Sequence, residues 1–280
     1  MDALTTSVLK DVTLLVWLAL LAGAGAYKAL RLARPAACWN WGGRVNVRSY
    51  IAADAVVVAA LSLLLLGGLR QAGAATATTA DPELSAPVVA GGIFVQLFAA
   101  AMLLFYLGGV RGLHAAELFG IRRLGALPTV GLTLVLMLPL LLVVNGVAWS
   151  VNHWLQSFWP DLEAQDAVRA FRDSGDTAAR LALVAAAVGV APLVEELLFR
   201  GFIYGVIKRF TDAWFAALCS SLLFAVVHLH VGSLLPLAVL ALLLCAAYEL
   251  TGSLLVPMLL HALFNLTSLA LLLIFPEAAA

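Results

Sequence analysis

The sequence predicts an all-α polytopic membrane protein with about eight transmembrane helices, on three observations. Hydrophobic residues make up 64% of the 280 positions and charged residues only 11%, with a mean hydropathy of +1.04, a balance foreign to a water-soluble domain. Several runs reach the roughly 20 apolar residues that a helix needs to cross the hydrocarbon core. These runs are continuous Leu/Ala/Val stretches without the alternation of a barrel strand, so helices must satisfy the backbone in lipid.

In order, the expected spans are Val12 to Leu30, Ser49 to Leu69, Ala86 to Val110, Leu127 to Trp149, Thr177 to Ile207, Ala213 to Leu229, Ser233 to Leu250 and Ser253 to Phe275. The first eleven residues carry Asp2 and Asp11 against a single Lys10, the wrong charge for a signal n-region, so the first run is read as an uncleaved span. Lys28, Arg31, Arg34, Arg44 and Arg48 fill the first loop, Arg111, Arg122 and Arg123 the third, and Lys208 and Arg209 the fifth. Asp81 and Glu83 lie in the second loop, and the fourth holds Asp161, Glu163, Asp166, Asp173 and Asp176 against Arg169 and Arg172. Basic loops favour the cytoplasm, so both termini are expected outside the cell membrane, in agreement with an even number of spans. The fifth run is too long for a straight crossing and is expected to tilt, protrude or break near Pro192. Cys38, Cys219 and Cys245 have no paired spacing and imply neither a disulfide framework nor a metal cluster.

Polar chemistry divides the chain. Residues 1–148 read as an accessory half of four helices, 149–176 as an acidic, Trp-containing extracytoplasmic loop, and 177–280 as a working half. Within the loop, Trp149, Trp154 and Trp159 read as interfacial anchors, and Leu162, Val168 and Phe171 share one side of a short helix resting at the outer surface. The accessory half offers a single buried carboxylate candidate, Asp54, read as a helix-end acid reaching the interface. Glu249 is read as a second interfacial acid, and His230 as a helix exit.

In the working half the ionisable residues fall inside spans, where they face the bundle interior or a water-filled cavity. Residues four apart share a helix face, and adjacent ones point about 100 degrees apart. Glu196 and Arg200 therefore form an ion pair, which explains both as architecture. Glu195 is left without that partner, and a buried carboxylate lacking a countercharge suits proton exchange with water. The same four-residue step places Phe224 with His228 on the sixth span and His261 with Asn265 on the eighth. Phe224 is expected to pack beside His228. Measured along the helices, Glu195 lies roughly 20 Å from Lys208, His228 about 22 Å from Ala213 and His261 about 12 Å from Ser253, which is compatible with one cavity near mid-bilayer.

These three motifs, Glu195-Glu196-x-x-x-Arg200, Phe224-x-x-x-His228 and His261-x-x-x-Asn265, in this order on successive spans, resemble those of the CAAX prenyl protease and bacteriocin-processing (CPBP, or Abi) family. The resemblance covers about Thr177 to Phe275 and implies an intramembrane glutamic endopeptidase. It implies that Glu195 with His228 activates a water, that His261 and Asn265 stabilise the oxyanion, and that Glu196, Arg200 and Phe224 support the site. No nucleophilic serine or cysteine is required.

Three rival readings stand beside this one. Glu195, His228 and His261 could supply three zinc ligands, although no HExxH lies on any helix; no cofactor is expected, and zinc stays open as the alternative. A proton-coupled transporter would use the same residue types, but the charges gather in one half and no paired broken helices occur in two repeats. A membrane scaffold or immunity protein could retain the motif for folding. The expected partners are the bilayer and a membrane-associated or lipidated protein or peptide substrate, with no nucleic acid; the sequence leaves the oligomeric state open.

Overall fold

The computed structural model describes residues 43–75, 85–158, 171 and 175–274, together with 22–23, 25–30 and 32–33; for 66–75 it describes the backbone alone. The labelled helices are α1 (Ala52–Ala75), α2 (Ala86–Val110), α3 (Ala115–Leu118), α4 (Ala126–Gln156), α5 (Thr177–Phe210), α6 (Ala213–Val226), α7 (Val231–Thr251) and α8 (Leu255–Ile274). No strand occurs among the described residues, so the chain is all-α as expected.

Five of these helices, α2, α4, α5, α7 and α8, are long and apolar enough to cross a membrane. They identify an integral membrane protein, but the count of eight is not established. Ala52–Leu65 and α6 are shorter apolar segments, and the expected first span falls mostly outside the described residues. The expected helix in the fourth loop also lies outside them, apart from Phe171, which is buried with the Arg180 guanidinium over its ring. At the near end of that loop α4 runs on to Gln156, past the expected end at Trp149, with Trp149 stacked on His153.

Two helices depart from a plain crossing in ways that matter for function. α5 runs for 34 residues without breaking at Pro192. The proline instead sits in a five-residue α-helical piece, Ala191–Glu195, between two π-helical stretches, Ala186–Val190 and Glu196–Tyr204. Such i→i+5 stretches are uncommon and concentrate at functional sites. α6 stops after 14 residues, a length of about 21 Å, short of the roughly 30 Å hydrocarbon core. Leu229 adopts φ 55° in the turn that follows, and His230 caps α7 by accepting the Ser233 N–H on Nδ1 at 3.1 Å. The early stop replaces the expected helix to Leu229 and makes His230 a helix entrance.

Burial changes sharply along α5. Residues up to Leu193 are mostly partly or fully exposed, whereas Val194, Leu197, Phe199, Phe202, Ile203, Tyr204 and Val206 are buried in one core with Phe119, Phe224, Tyr248 and Leu254. A second core joins α4, α7 and α8 through Met137, Leu140, Val144, Leu240, Leu244 and Leu260.

The loops expected on one side of the membrane meet in the structure. Segment 43–50 is held by four cations from later in the chain, each donating to one of its carbonyls. Arg123 reaches Arg44 O at 2.8 Å, Lys208 reaches Val45 O at 3.3 Å, Arg111 reaches Ser49 O at 3.0 Å and Arg209 reaches Tyr50 O at 3.2 Å. The third loop is tied in turn to the α7–α8 turn, where Leu254 N–H donates to Phe119 O at 3.0 Å.

Two acids read as interfacial prove to be buried in this region. Asp54, fully buried, pairs with Arg111 at 2.9 Å and accepts from the Tyr106 hydroxyl at 2.7 Å. Glu249, 3% exposed, pairs with Lys208 at 2.5 Å and accepts from the Tyr204 hydroxyl and from Val45 N–H. Both corrections have one cause: the compensating cation comes from a distant part of the chain, Arg111 just past α2 and Lys208 on α5, where sequence spacing gives no hint of it.

A close backbone-to-backbone contact between loops lies at Gly120, which has φ +63° and would place a Cβ 2.0 Å from Gly252 O. Gly120→Ala is therefore expected to cost about 2–4 kcal/mol through backbone strain and the displaced turn. Thermal denaturation of the detergent-purified protein reads the loss; an unchanged midpoint would show that this contact does not hold the loops together.

Candidate active site

The three sequence motifs converge where α5 turns from partly exposed to buried. Glu195 ends the α-helical piece and Glu196 begins the second π stretch. The expected pair forms: Arg200 Nη1 donates to Glu196 Oε1 at 2.8 Å, with both side chains fully buried. The Arg200 guanidinium lies over the Phe224 ring, 4.4 Å from its centroid, so α6 supplies a π face to the same cation.

Glu196 does more than pair with Arg200. His261, 3% exposed on α8, places Nδ1 2.9 Å from the same Oε1. An ionised carboxylate only accepts, so the hydrogen-bond network assigns the ring proton to Nδ1. The other nitrogen, Nε2, faces Glu195 Oε2 at 3.8 Å. Glu195 thus lacks a countercharge on its own helix, as expected, but it does have a neighbour. One imidazole stands between the two adjacent carboxylates.

His228 lies in the turn after α6. Its Nδ1 is 2.7 Å from Phe224 O, an acceptor, so the proton is again assigned to Nδ1 and Nε2 carries the lone pair. Its ring packs 4.7 Å from Phe224, which also meets His261 at 5.8 Å, so Phe224 lies beside His228 as expected and underlies both histidines. Among the described residues no hydrogen bond or ion pair joins Glu195 to His228. Asn265, one turn beyond His261, donates from Nδ2 to Ala187 O at 2.8 Å, inside the first π stretch of α5. One of its two amide N–H groups is thereby committed to holding α5.

Of the two adjacent glutamates Glu195 is the open one, its side chain 24% exposed, while Glu196 and Arg200 are sealed. The arrangement brings a partly open carboxylate and one imidazole nitrogen together, backed by a buried ion pair, with the His228 ring packed on the same Phe224. Among the described residues no group of three or more His, Cys, Asp or Glu side chains is arranged to hold a metal ion.

Sequence reasoning missed what holds α5 in place. Tyr50 seats its ring against Gly205 and donates its hydroxyl to Gly201 O at 2.7 Å, in the buried π stretch. The spacing Gly201-x-x-x-Gly205 is a visible signal for close approach to a helix, but it does not say which residue approaches.

Comparison with known proteins falls on the same part of the chain. Residues 177–267 match the family described as "Type II CAAX prenyl endopeptidase Rce1-like". A curated protein of Bacillus subtilis (strain 168), named "Putative membrane peptidase YdiL", is 27% identical over 121 residues, which is 43% of this chain and 48% of that protein. The match thus spans about half the length of that relative. No solved structure matches. The resemblance carried by the three motifs therefore holds over the stretch that contains them: residues 177–267 are similar to the Rce1-like CAAX endopeptidases.

Proposed function

We propose that the protein is an intramembrane endopeptidase of the glutamic type, with its working residues in 177–280 and residues 1–148 as an accessory half. The observation that carries the proposal is the imidazole of His261 between Glu196 at 2.9 Å and Glu195 at 3.8 Å. The shorter distance is a hydrogen bond that orients the ring; the longer one leaves Nε2 without a direct hydrogen bond to Glu195, facing the space that the water and the carbonyl oxygen share in the proposed reaction.

In the proposed reaction Glu195 takes a proton from that water as its oxygen bonds to the peptide carbonyl carbon, and the carbonyl electron pair moves onto oxygen. The lone pair of His228, in the turn after α6, accepts the second hydrogen of the same water. Asn265, through its second amide N–H, and His261, when Nε2 also carries a proton, donate to the oxyanion. Glu195 then returns the proton to the leaving amine as the C–N bond breaks. Glu196, Arg200 and Phe224 support the ring positions. Every group in this scheme belongs to the chain, so no cofactor is invoked.

The proposed substrate is a membrane-associated or lipidated protein or peptide. The matching family's printed name speaks of CAAX prenyl substrates, but no isoprenoid site has been identified in this chain, so the proposal does not extend to a prenyl group. Charge placement favours the cell membrane with both termini outside and the basic loops cytoplasmic.

The test is a membrane-proteome fragment profile from cells carrying wild-type protein or Glu195→Gln at equal abundance. Fragments that appear with wild type and vanish with the variant are expected, and they name the substrate. If no fragment differs while a wild-type phenotype persists in the variant, the protein acts as a scaffold and the enzymatic reading fails. Fragments that a chelator abolishes would instead favour the zinc hydrolase.

A further inference from the structure

The carboxylates of the site sit at a junction between α and π geometry, and that junction needs to be held. An i→i+5 turn contains one residue more than an i→i+4 turn, so relaxation of the π stretch to α geometry would re-aim every side chain beyond it. Glu195 and Glu196 would then turn relative to His261, which stands on a separate helix. A group placed about 1 Å from its working position can cost on the order of a hundredfold in rate.

Each π stretch of α5 has a carbonyl that accepts from a side chain of another segment. In Ala186–Val190 it is Ala187 O, bound by Asn265 at 2.8 Å. In Glu196–Tyr204 there are two: Phe199 O, bound by the Ser220 hydroxyl of α6 at 3.1 Å, and Gly201 O, bound by the Tyr50 hydroxyl at 2.7 Å, while the Gly205 N–H is given to Phe202 O. Asn265 on one side, and Ser220 with Tyr50 on the other, thus grip α5 around Glu195 and Glu196; of the three, Tyr50 alone comes from outside 177–280.

Tyr50 is built to be a fixed donor. It is 2% exposed, and its ring occupies the space where a Cβ on Gly205 would come within 2.7 Å of Cε2. Phe202 meets the ring edge-on at 6.1 Å. Its backbone is held as well, by Arg209 on its carbonyl and by its own N–H to Val47 O at 3.2 Å. Tyr50 itself lies outside the matched stretch 177–267, in the loop before α1, whereas Gly201, Phe202, Gly205 and Arg209, which receive it, lie inside.

We infer that Tyr50 is a positioning residue of the active site, contributed by the accessory half, whose hydroxyl pins the second π stretch of α5 and so fixes Glu195 and Glu196 against His261. The inference rests on the endopeptidase reading for its catalytic consequence; the pinning of α5 is measurable without it.

The experiment compares full-length wild type and Tyr50→Phe, purified and reconstituted. A synthetic peptide spanning a cleavage site from the fragment profile serves as substrate, and hydrogen exchange is followed in parallel over residues 201–206. Tyr50→Phe keeps the ring in its notch and removes only the donor. The expected result is kcat lower by about tenfold or more with KM within about twofold, per folded molecule, together with faster exchange at 201–206. A purely structural role would lower the folded yield and leave kcat per folded molecule unchanged, and that outcome overturns the inference.

Should Tyr50→Phe fail to fold, Gly205→Ala displaces the ring while keeping the hydroxyl, and wild-type kcat in that variant is equally fatal. If wild-type protein yields no fragments at all, the endopeptidase reading falls by itself. Exchange then decides the pin: unchanged exchange in Tyr50→Phe refutes it, and faster exchange upholds it.

Discussion

Arg200→Leu is expected to be the most destabilising single substitution among the site residues. It leaves Glu196 as a buried charge without its cation, a loss of about 3–5 kcal/mol when one member of a buried pair is removed. The same change deletes the guanidinium over the Phe224 ring, 4.4 Å from its centroid, a contact worth about 2 kcal/mol when desolvated. The folded yield after detergent extraction and the thermal midpoint should both fall. The double variant Glu196→Leu with Arg200→Leu separates charge from packing, since replacing both partners of a buried pair by apolar groups is often neutral. Recovery of the midpoint in the double variant, without recovery of activity, is the expected pattern. An Arg200→Leu protein as stable as wild type would mean that the 2.8 Å pair does not support the fold.

Glu195→Gln is expected to behave in the opposite way, with little change in stability and a loss of turnover by about a thousandfold or more. The side chain is partly open and makes no hydrogen bond shorter than its 3.8 Å approach to His261, so an amide of the same shape fits. An amide, however, cannot accept the proton of the attacking water. Single-turnover cleavage of a peptide from the fragment profile, measured beside the thermal midpoint, checks both halves of the expectation. A variant that retains more than about a tenth of the wild-type rate would move the general base elsewhere, with His228 the next residue to test.

The contrast between these two neighbours was largely legible in the sequence, because it depends on local geometry. Glu196 and Arg200 are four residues apart on one helix, and helical periodicity alone brings them together; Phe224 and His228 have the same spacing, but α6 ends before His228 and the turn that follows completes their contact. Path lengths along three spans also put Glu195, His228 and His261 at compatible depths. The rotation of one helix about its axis relative to another was not legible, so the approach of His261 to both glutamates went unread.

The same limit explains the acids that were misread. Asp54 and Arg111 are 57 residues apart, as are Glu249 and Lys208 by 41, and each acid looks solitary from its own helix. The π stretches escaped for a different reason. They carry mostly apolar residues like the rest of α5, and the donor that satisfies Gly201 O lies 151 residues away.

The strap at 43–50 also constrains how the molecule can be built. Its carbonyls wait for Arg111, Arg123, Lys208 and Arg209, and its last residue waits for the Gly201 carbonyl. A ribosome delivers residue 50 long before residue 209. During synthesis the strap must therefore remain unseated, in water at the membrane surface, until the fifth helix has been inserted. Its docking is then a late event in biogenesis, one that joins the first-made part of the chain to the helix bearing Glu195 only after that helix exists.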